Sequence, residues 1–145
     1  MKSKILAIDT TIFIYHFEAN RQYISFTTAI FNSFIENKFK GITSVISVIE
    51  TLSYPAPDKL IKEREEDFKT LPHFNVYDVT QEIAIITAKI RRKYKYRTPD
   101  AIQLATALYG KADIFITNDT KLQQFKELKV MLLKEFTKFG SEVEI

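Results

Sequence analysis

Four acidic residues stand at places in the chain where side chains can do chemistry. They are Asp9 at the end of KILAID, Glu50 within ITSVISVIETLSY, Asp100 in RTPDAIQLA and Asp119 at the end of IFITND. Carboxylates gathered in one place raise each other's pKa unless a cation neutralises them. A ligand set made only of oxygen atoms indicates a hard ion such as Mg²⁺ or Mn²⁺. If folding brings the four acids together, they predict a divalent-metal site.

Three of the four acids, taken singly, also have a simpler explanation. Asp9 is placed to cap a following helix, and Asp100 lies at a helix start, where negative charge complements the helix dipole. Asp119 suits a turn before KLQQFKEL. Glu50 is harder to explain, because it has no basic partner at i±3 or i±4 and a buried carboxylate without a partner is costly. Only convergence in space would favour a shared site.

A run of bases precedes Asp100. The run contains Lys89, Arg91, Arg92, Lys93, Lys95 and Arg97, with no acid among them. The net charge of the chain is +3, so the remaining residues are net negative and the positive charge is local. A local basic patch favours a nucleic-acid or phosphate ligand over a membrane surface, although a solvated helix end has the same composition. The interleaved Tyr94 and Tyr96 could stack on unpaired nucleobases or simply pack.

The candidate strands are short apolar runs separated by segments of helical period. They cover residues 4–8, 41–43, 74–77, 114–117 and 130–133. Helical connections predict parallel neighbours, because tight hairpins cannot join parallel strands. We therefore predict a single α/β domain over residues 1–145, with a mostly parallel central sheet of about five strands and helices on both faces.

Two of the helical segments have apolar faces that we expect to be core. These faces are Phe26, Ile30, Phe34 and Ile35 in the first, and Val45, Val48, Ile49 and Leu52 in the second. Further helices are expected near residues 58–70 and 80–94, and from Pro99 onwards.

Ligands of parallel α/β sheets bind beyond the carboxyl ends of the strands, where the strand order switches. Asp9 follows the first candidate strand and Asp119 the fourth. Asp100 is not placed by this pattern, because a simple antiparallel pair of helices before it would put it at the opposite end of the sheet.

Several other classes of protein are disfavoured by composition. The chain has no cysteine and only three glycines, which argues against a glycine-rich phosphate loop. The two histidines, His16 and His73, lack metal-ligand spacing and are expected to pack or face solvent. No stretch approaches the roughly 18 apolar residues of a membrane helix. We therefore expect a cytoplasmic protein that does not enter a membrane.

The segments IDTTIFIY, SVIETLS, RTPDAIQLATAL and FITND together resemble PIN-domain ribonucleases, and more closely the VapC-like toxins of type II toxin–antitoxin pairs. The resemblance spans nearly the whole chain. It implies a three-layer α/β/α fold that brings Asp100 to the other acids. It also implies that Asp9, Glu50, Asp100 and Asp119 bind Mg²⁺ or Mn²⁺ and that Thr117 supports the first acid.

The same resemblance implies a small antitoxin partner that covers the acidic site, and a homodimer. One departure is Thr11, which stands where such proteins often have Asn. Our hypothesis is metal-dependent hydrolysis of RNA phosphodiester bonds, in which the metal activates a water molecule. The substrate phosphates would be held by Arg91, Arg92, Lys93, Lys95 and Arg97.

Two alternatives belong to other functional classes. One is a catalytically inactive PIN-like module that binds RNA or protein. The other, which fits less well, is a phosphoacceptor receiver domain that would use Asp9, Asp78, Thr117 and Lys134 near strand ends.

Overall fold

The structure is a computed structural model that describes residues 3–136. The strands are β1 (Ile5–Ile8), β2 (Lys40–Ser44), β3 (Phe74–Tyr77), β4 (Ile114–Thr117) and β5 (Lys129–Leu132). The α-helices are α1 (Thr10–Phe17), α2 (Ile24–Ile35), α3 (Val45–Leu52), α4 (Asp58–Thr70), α5 (Gln81–Tyr94) and α6 (Thr98–Tyr109). Short 3₁₀ turns cover Thr120–Gln124 and Leu133–Glu135.

The five strands form one sheet in the order β3-β2-β1-β4-β5, and every neighbouring pair is parallel. The predicted α/β class and parallel sheet are confirmed, and no strand end differs by more than one residue from the one expected. Strands β2 and β3 lie on one side of β1 in the sheet, and strands β4 and β5 lie on the other side. The switch in strand order therefore lies between the carboxyl ends of β1 and β4.

Side chains alternate across the sheet and build a core on each face. Leu6 and Ile8 of β1 belong to the core that α1 and α2 cover, together with Phe34. Ala7 lies in the other core, under α5 and α6, together with Leu104. Helices on both faces of one sheet confirm the predicted three-layer α/β/α arrangement.

The apolar faces expected on α2 and α3 are only partly correct. Ile35 is 54% exposed and Ile49 is 57% exposed, so neither belongs to the core. The fully buried residues of α3 are instead Ser47 and Thr51. Ser47 can be buried because its hydroxyl has hydrogen-bond partners on neighbouring elements, which removes most of the cost of burying a polar group.

Local chemistry explains several of the boundaries. The Ser44 hydroxyl accepts a hydrogen bond from the Ile46 amide at the start of α3, and the Thr80 hydroxyl accepts one from the Ile83 amide at the start of α5. Helix α5 ends at Tyr94, and the next residue, Lys95, has a φ of 61° that turns the chain sharply into α6. Between residues 3 and 136, no helix has both the length and the apolar character needed to cross a membrane.

Candidate active site

Asp9 lies at the carboxyl end of β1, at the switch in strand order. Its amide continues the sheet by donating to the Ile116 carbonyl at 3.0 Å, and its Oδ1 accepts a hydrogen bond from the Thr10 amide at 2.8 Å. The carboxyl group is buried, and this burial raises its pKa from 3.8 to about 6, against the opposing effect of its hydrogen bonds. Asp9 therefore caps α1, as its position predicted, and burial disfavours the charged form of its carboxyl group.

Thr117, the last residue of β4, supports Asp9 from the neighbouring strand. Its hydroxyl donates to Asp9 Oδ2 at 2.6 Å and accepts a hydrogen bond from the Asp119 amide at 3.1 Å. The side chain is fully buried, so these contacts are shielded from water. Thr117 thus links the two acids that follow β1 and β4.

Glu50 and Asp100 come to Asp9 from α3 and α6. The negative charges of both residues contribute to the raised pKa of Asp9, although less than burial does. Glu50 Oε1 accepts a hydrogen bond of 2.7 Å from the Thr10 hydroxyl on α1. Asp100, in the first turn of α6, is 3.5 Å from Arg97 Nε, on a side chain that is 80% exposed and therefore a weak partner. Asp100 is therefore at the carboxyl edge of the sheet, which the sequence pattern alone left open.

Asp119 begins the 3₁₀ turn after β4, and its Oδ1 accepts a hydrogen bond from the Lys121 amide at 3.0 Å. Tyr96, in the turn between α5 and α6, lies next to it. The Tyr96 hydroxyl donates to the Lys121 carbonyl at 3.1 Å. The charges of Asp119 and Asp100 add to the effect of burial in raising the pKa of Tyr96. Asp119 and Asp100 therefore share a neighbour as well as an edge of the sheet.

The donor atoms of this site fit a divalent cation in their chemistry but do not converge on one point. Carboxylate oxygens suit Mg²⁺ and Mn²⁺, and a cation would relieve the repulsion that Asp9 experiences from Glu50 and Asp100. Among residues 3–136, however, no three His, Cys, Asp or Glu side chains are grouped so as to hold an ion. The carboxylates instead bond to neighbouring protein groups, so a shared ion would have to replace some of those contacts.

The basic run occupies the end of α5 and the turn into α6, beside the acids. The side chains of Arg91, Arg92, Lys93, Lys95 and Arg97 are all exposed. Several of them already contact protein groups: Arg91 Nε donates to the Tyr96 carbonyl, and Lys93 pairs with Glu127 at 3.6 Å. Positive charge therefore lies next to the carboxyl edge of the sheet, as an anionic substrate would require.

Tyr94 and Tyr96 stack on each other, with ring centroids 5.5 Å apart and planes within 3°. The Tyr94 hydroxyl accepts a hydrogen bond from the Lys126 amide, and Tyr94 also packs against Phe125. The pair therefore ties the turn between α5 and α6 to the segment that follows Asp119. This packing role accounts for both rings without a nucleobase.

Sequence reasoning missed a polar cluster behind Glu50. It consists of Thr10 on α1, Ser47 on α3 and Gln103 on α6, all of them buried. Thr10 directly follows Asp9, and Gln103 lies one helical turn beyond Asp100. The one sequence signal for Gln103 was a polar residue on an apolar helix, three positions after a candidate acid, and that signal does not identify its partners.

The two histidines lie on other parts of the molecule. His16 contacts the Thr27 hydroxyl and the Phe31 ring, and His73 contacts the Phe34 carbonyl at 2.8 Å. His16 is partly buried and His73 is exposed, which agrees with the expectation that the histidines pack or face solvent.

Residues 6–128 match the family model of the PIN domain. The chain belongs to the PIN domain family. A comparison with curated protein sequences finds no match.

Solved structures with the same fold include VapBC2, a toxin–antitoxin complex and FitAcB. One is VapBC2 from Rickettsia felis bound to a DNA fragment from its promoter. The TM-score is 0.71 and the sequence identity is 15%, and the match covers 88% of this chain and 98% of that chain. Another is a toxin–antitoxin complex from Klebsiella pneumoniae, with a TM-score of 0.67, 25% identity and coverage of 88% and 97%. A third is FitAcB from Neisseria gonorrhoeae, with a TM-score of 0.66, 20% identity and coverage of 89% and 98%. The resemblance of this PIN domain to VapC-like toxins is confirmed at the level of family and fold.

The receiver-domain alternative is wrong. Receiver domains have the strand order 2-1-3-4-5, whereas the order in this PIN domain is 3-2-1-4-5. In this order β1, rather than β3, is the central strand.

Proposed function

We propose that this PIN domain is a metal-dependent ribonuclease and the toxin of a toxin–antitoxin pair. The observation that carries the proposal is the buried Asp9, whose pKa is raised by burial and by the nearby charges of Asp100 and Glu50 at the switch in strand order. A site that concentrates negative charge in this way favours a cation. Membership of the PIN family supports the same reading.

In this proposal Asp9, Glu50, Asp100 and Asp119 hold Mg²⁺ or Mn²⁺. The bound metal would activate water for attack on the phosphodiester and stabilise the leaving oxygen. Thr117 fixes the Asp9 carboxylate through its 2.6 Å hydrogen bond. The exposed bases Arg91, Arg92, Lys93, Lys95 and Arg97 attract the RNA backbone towards these acids.

The direct test is cleavage of a mixed-sequence RNA by the purified protein, with Mn²⁺ and with a chelator. We expect cleavage only with the metal, and we expect Asp9→Asn and Asp100→Asn each to abolish it while thermal unfolding remains cooperative. Asp78→Asn is the matched control, because Asp78 is an exposed acid at the end of β3. Cleavage that survives in both site variants would refute the proposal.

The toxin role and the partners rest on the structural neighbours, which include VapBC2 from Rickettsia felis and a toxin–antitoxin complex from Klebsiella pneumoniae. We propose a cognate antitoxin, a homodimer and a cytoplasmic site of action, where cellular RNA is accessible. Induced expression should arrest bacterial growth, and Asp9→Asn should not. An RNA-processing enzyme would instead cleave RNA in vitro without slowing growth.

A second candidate is a PIN-like module that binds RNA or protein without turnover. It is favoured by one observation, namely that no three of the described acidic side chains converge to hold an ion in residues 3–136. Binding of RNA that is equally tight with and without Mn²⁺, with no cleavage over a wide range of metal concentrations, would support this candidate.

A further inference from the structure

A hydrogen-bonded polar cluster joins three helices behind the candidate site. Gln103, only 3% exposed on α6, donates from Nε2 to the Thr10 hydroxyl at 3.0 Å and to the Ser47 hydroxyl at 2.8 Å. The Ser47 hydroxyl oxygen lies 2.7 Å from the Thr43 hydroxyl oxygen, and the Thr10 hydroxyl oxygen lies 2.7 Å from Glu50 Oε1. The cluster therefore runs from the Gln103 amide to a carboxylate at the site.

The protons of this cluster have one consistent arrangement. Thr43 donates its only hydroxyl proton to the Ile8 carbonyl at 2.7 Å, so Ser47 must donate to Thr43. Thr10 donates to Glu50. Neither Thr10 nor Ser47 then has a proton left for the other, although their oxygens are 3.1 Å apart. The two amide protons of Gln103 supply both oxygens, and they are the donors that hold this close contact together.

We propose that Gln103 and Thr10 are positioning residues that fix the Glu50 carboxylate for the reaction, an inference that rests on the proposed nuclease function. Gln103 holds the Thr10 oxygen, which leaves its hydroxyl proton directed at Glu50 Oε1. No cation is needed for this orientation, since the donors are neutral side chains. One carboxylate oxygen is held in this way, and Glu50 is only partly buried.

The location of the cluster supports a role at the site rather than in general packing. Its helices α1, α3 and α6 also carry Asp9 at a cap, Glu50 and Asp100. A buried amide and three buried hydroxyls would be replaced at little cost by apolar side chains of the same shape if they served packing alone. The direction of the hydrogen bonds, which end at Glu50, accounts for their presence.

The test compares steady-state cleavage of RNA by Thr10→Val, Gln103→Met and a control, Thr106→Val. Each removes a buried polar group from this region, but the Thr106 hydroxyl donates only to the Ile102 carbonyl of its own helix. We expect Thr10→Val and Gln103→Met to lower kcat at least about tenfold with little change in KM, because a hydrogen bond to a charged group is lost or misdirected. Thr106→Val should retain the kcat of the wild type, and Thr10→Ser should restore most of the activity that Thr10→Val loses.

A second arm tests whether the effect passes through Glu50. In a Glu50→Gln background, Thr10→Val should cause no further loss of kcat, because the carboxylate that it positions is already gone. Equal losses of kcat in Thr10→Val and Thr106→Val, or fully additive losses with Glu50→Gln, would overturn the positioning role.

A readout independent of activity separates this inference from the proposed function. At fixed pH and without metal, the carboxyl ¹³C signal of Glu50 should move in Thr10→Val and in Gln103→Met but stay in place in Thr106→Val. If the wild type cleaves no RNA, the nuclease proposal fails and this signal alone decides the positioning role. A Glu50 signal that is unchanged in both variants would overturn it.

Discussion

Asp9 accepts two hydrogen bonds that favour its charged form, yet its pKa is raised to about 6. The reason is that burial removes the carboxylate from water, and the charges of Asp100 and Glu50 add to that cost. Hydrogen bonds from Thr117 and the Thr10 amide limit the rise without cancelling it. The balance leaves one site residue that changes charge near physiological pH.

This shift predicts how stability depends on pH. Because the folded pKa lies above the unfolded value of 3.8, the folded state holds the proton more tightly, and the contribution of Asp9 is fully present below about pH 4. This contribution to the free energy of unfolding is on the order of 3 kcal/mol, and it is lost as the pH rises through about 6. In chelator, Asp9→Asn should therefore gain stability over the wild type at pH 7 but not at pH 4, as measured by urea unfolding.

The difference between variant and wild type isolates Asp9 from other titrating groups. His16 contributes with the opposite sign, because burial lowers its pKa and its contribution grows as the pH rises. Asp78→Asn, at an exposed position, serves as the control and should show no such difference. If Asp9→Asn and the wild type have parallel stability curves from pH 4 to pH 7, the buried carboxyl does not have the raised pKa.

Sequence patterns identified the candidate acids and the family resemblance identified Thr117, but neither identified the buried Thr10 and Gln103. Asp9 and Asp119 were predictable because parallel strands bring the residues that follow them to one edge. Gln103 was not, because its environment consists of hydroxyl groups on two helices distant in sequence. Spacing along one helix does not reveal such partners.

The turn between α5 and α6 joins the basic run to the acids. Arg92 and Lys95 form no salt bridge within the described part of the chain, unlike Lys93 and Arg97. These two bases are therefore free to contact phosphates.

We predict that Arg92→Gln/Lys95→Gln weakens binding to single-stranded RNA and flattens its salt dependence. Two lost phosphate contacts should reduce the slope of log K against log salt by roughly 1.4. Fluorescence anisotropy of a labelled oligonucleotide in chelator measures this slope. The control is Lys59→Gln/Lys62→Gln on α4, which removes the same charge from exposed positions elsewhere. Identical slopes for the two double variants would show that net charge, not this turn, governs binding.

Strand β2 passes close to two aromatic rings. A Cβ atom added at Gly41 would clash with the Phe74 ring and would lie 2.6 Å from Phe34 Cζ. Gly41→Ala should therefore lower the free energy of unfolding by about 1–3 kcal/mol, since rings packed in the core resist displacement. Urea unfolding measures the loss.

Gly110→Ala provides the comparison, because the nearest atom to its new Cβ is the terminal Ile42 Cδ1 at 2.5 Å. A terminal methyl group can rotate away, so the loss should be smaller. Equal losses for the two variants would mean that β2 shifts as readily as a side chain.

Helical period alone also misjudged which face of an element is buried. The pattern of α3 marked Val45, Val48, Ile49 and Leu52 as core, whereas the helix buries Ser47 and Thr51. Helix α3 packs against α1 and α6 through the polar cluster. These contacts, rather than the apolar pattern of α3 itself, determine which face of the helix is buried.

One sheet separates the two cores, and its strands β1 and β4 contribute buried side chains to both of them. The strand order 3-2-1-4-5 could not be read from the sequence, because alternation of strands and helices is compatible with several orders. It depends on contacts between strands distant in sequence. The family resemblance supplied what pattern could not.

The shared sheet predicts that the two cores unfold together. Ile30→Ala in the first core and Leu104→Ala in the second should each cost about 2–5 kcal/mol. In both variants the urea transitions followed by far-UV circular dichroism and by tyrosine fluorescence should coincide. Two separated transitions in either variant would show that the cores are independent folding units.

Both edge strands of the sheet are short. Strands β3 and β5 have only four residues each, and β5 opens with the charged Lys129. Short edge strands offer few free backbone groups for pairing with another chain, so they protect the protein against aggregation through the sheet. A stable complex of this protein should therefore be built on its helices and add no strand to the sheet that residues 3–136 form.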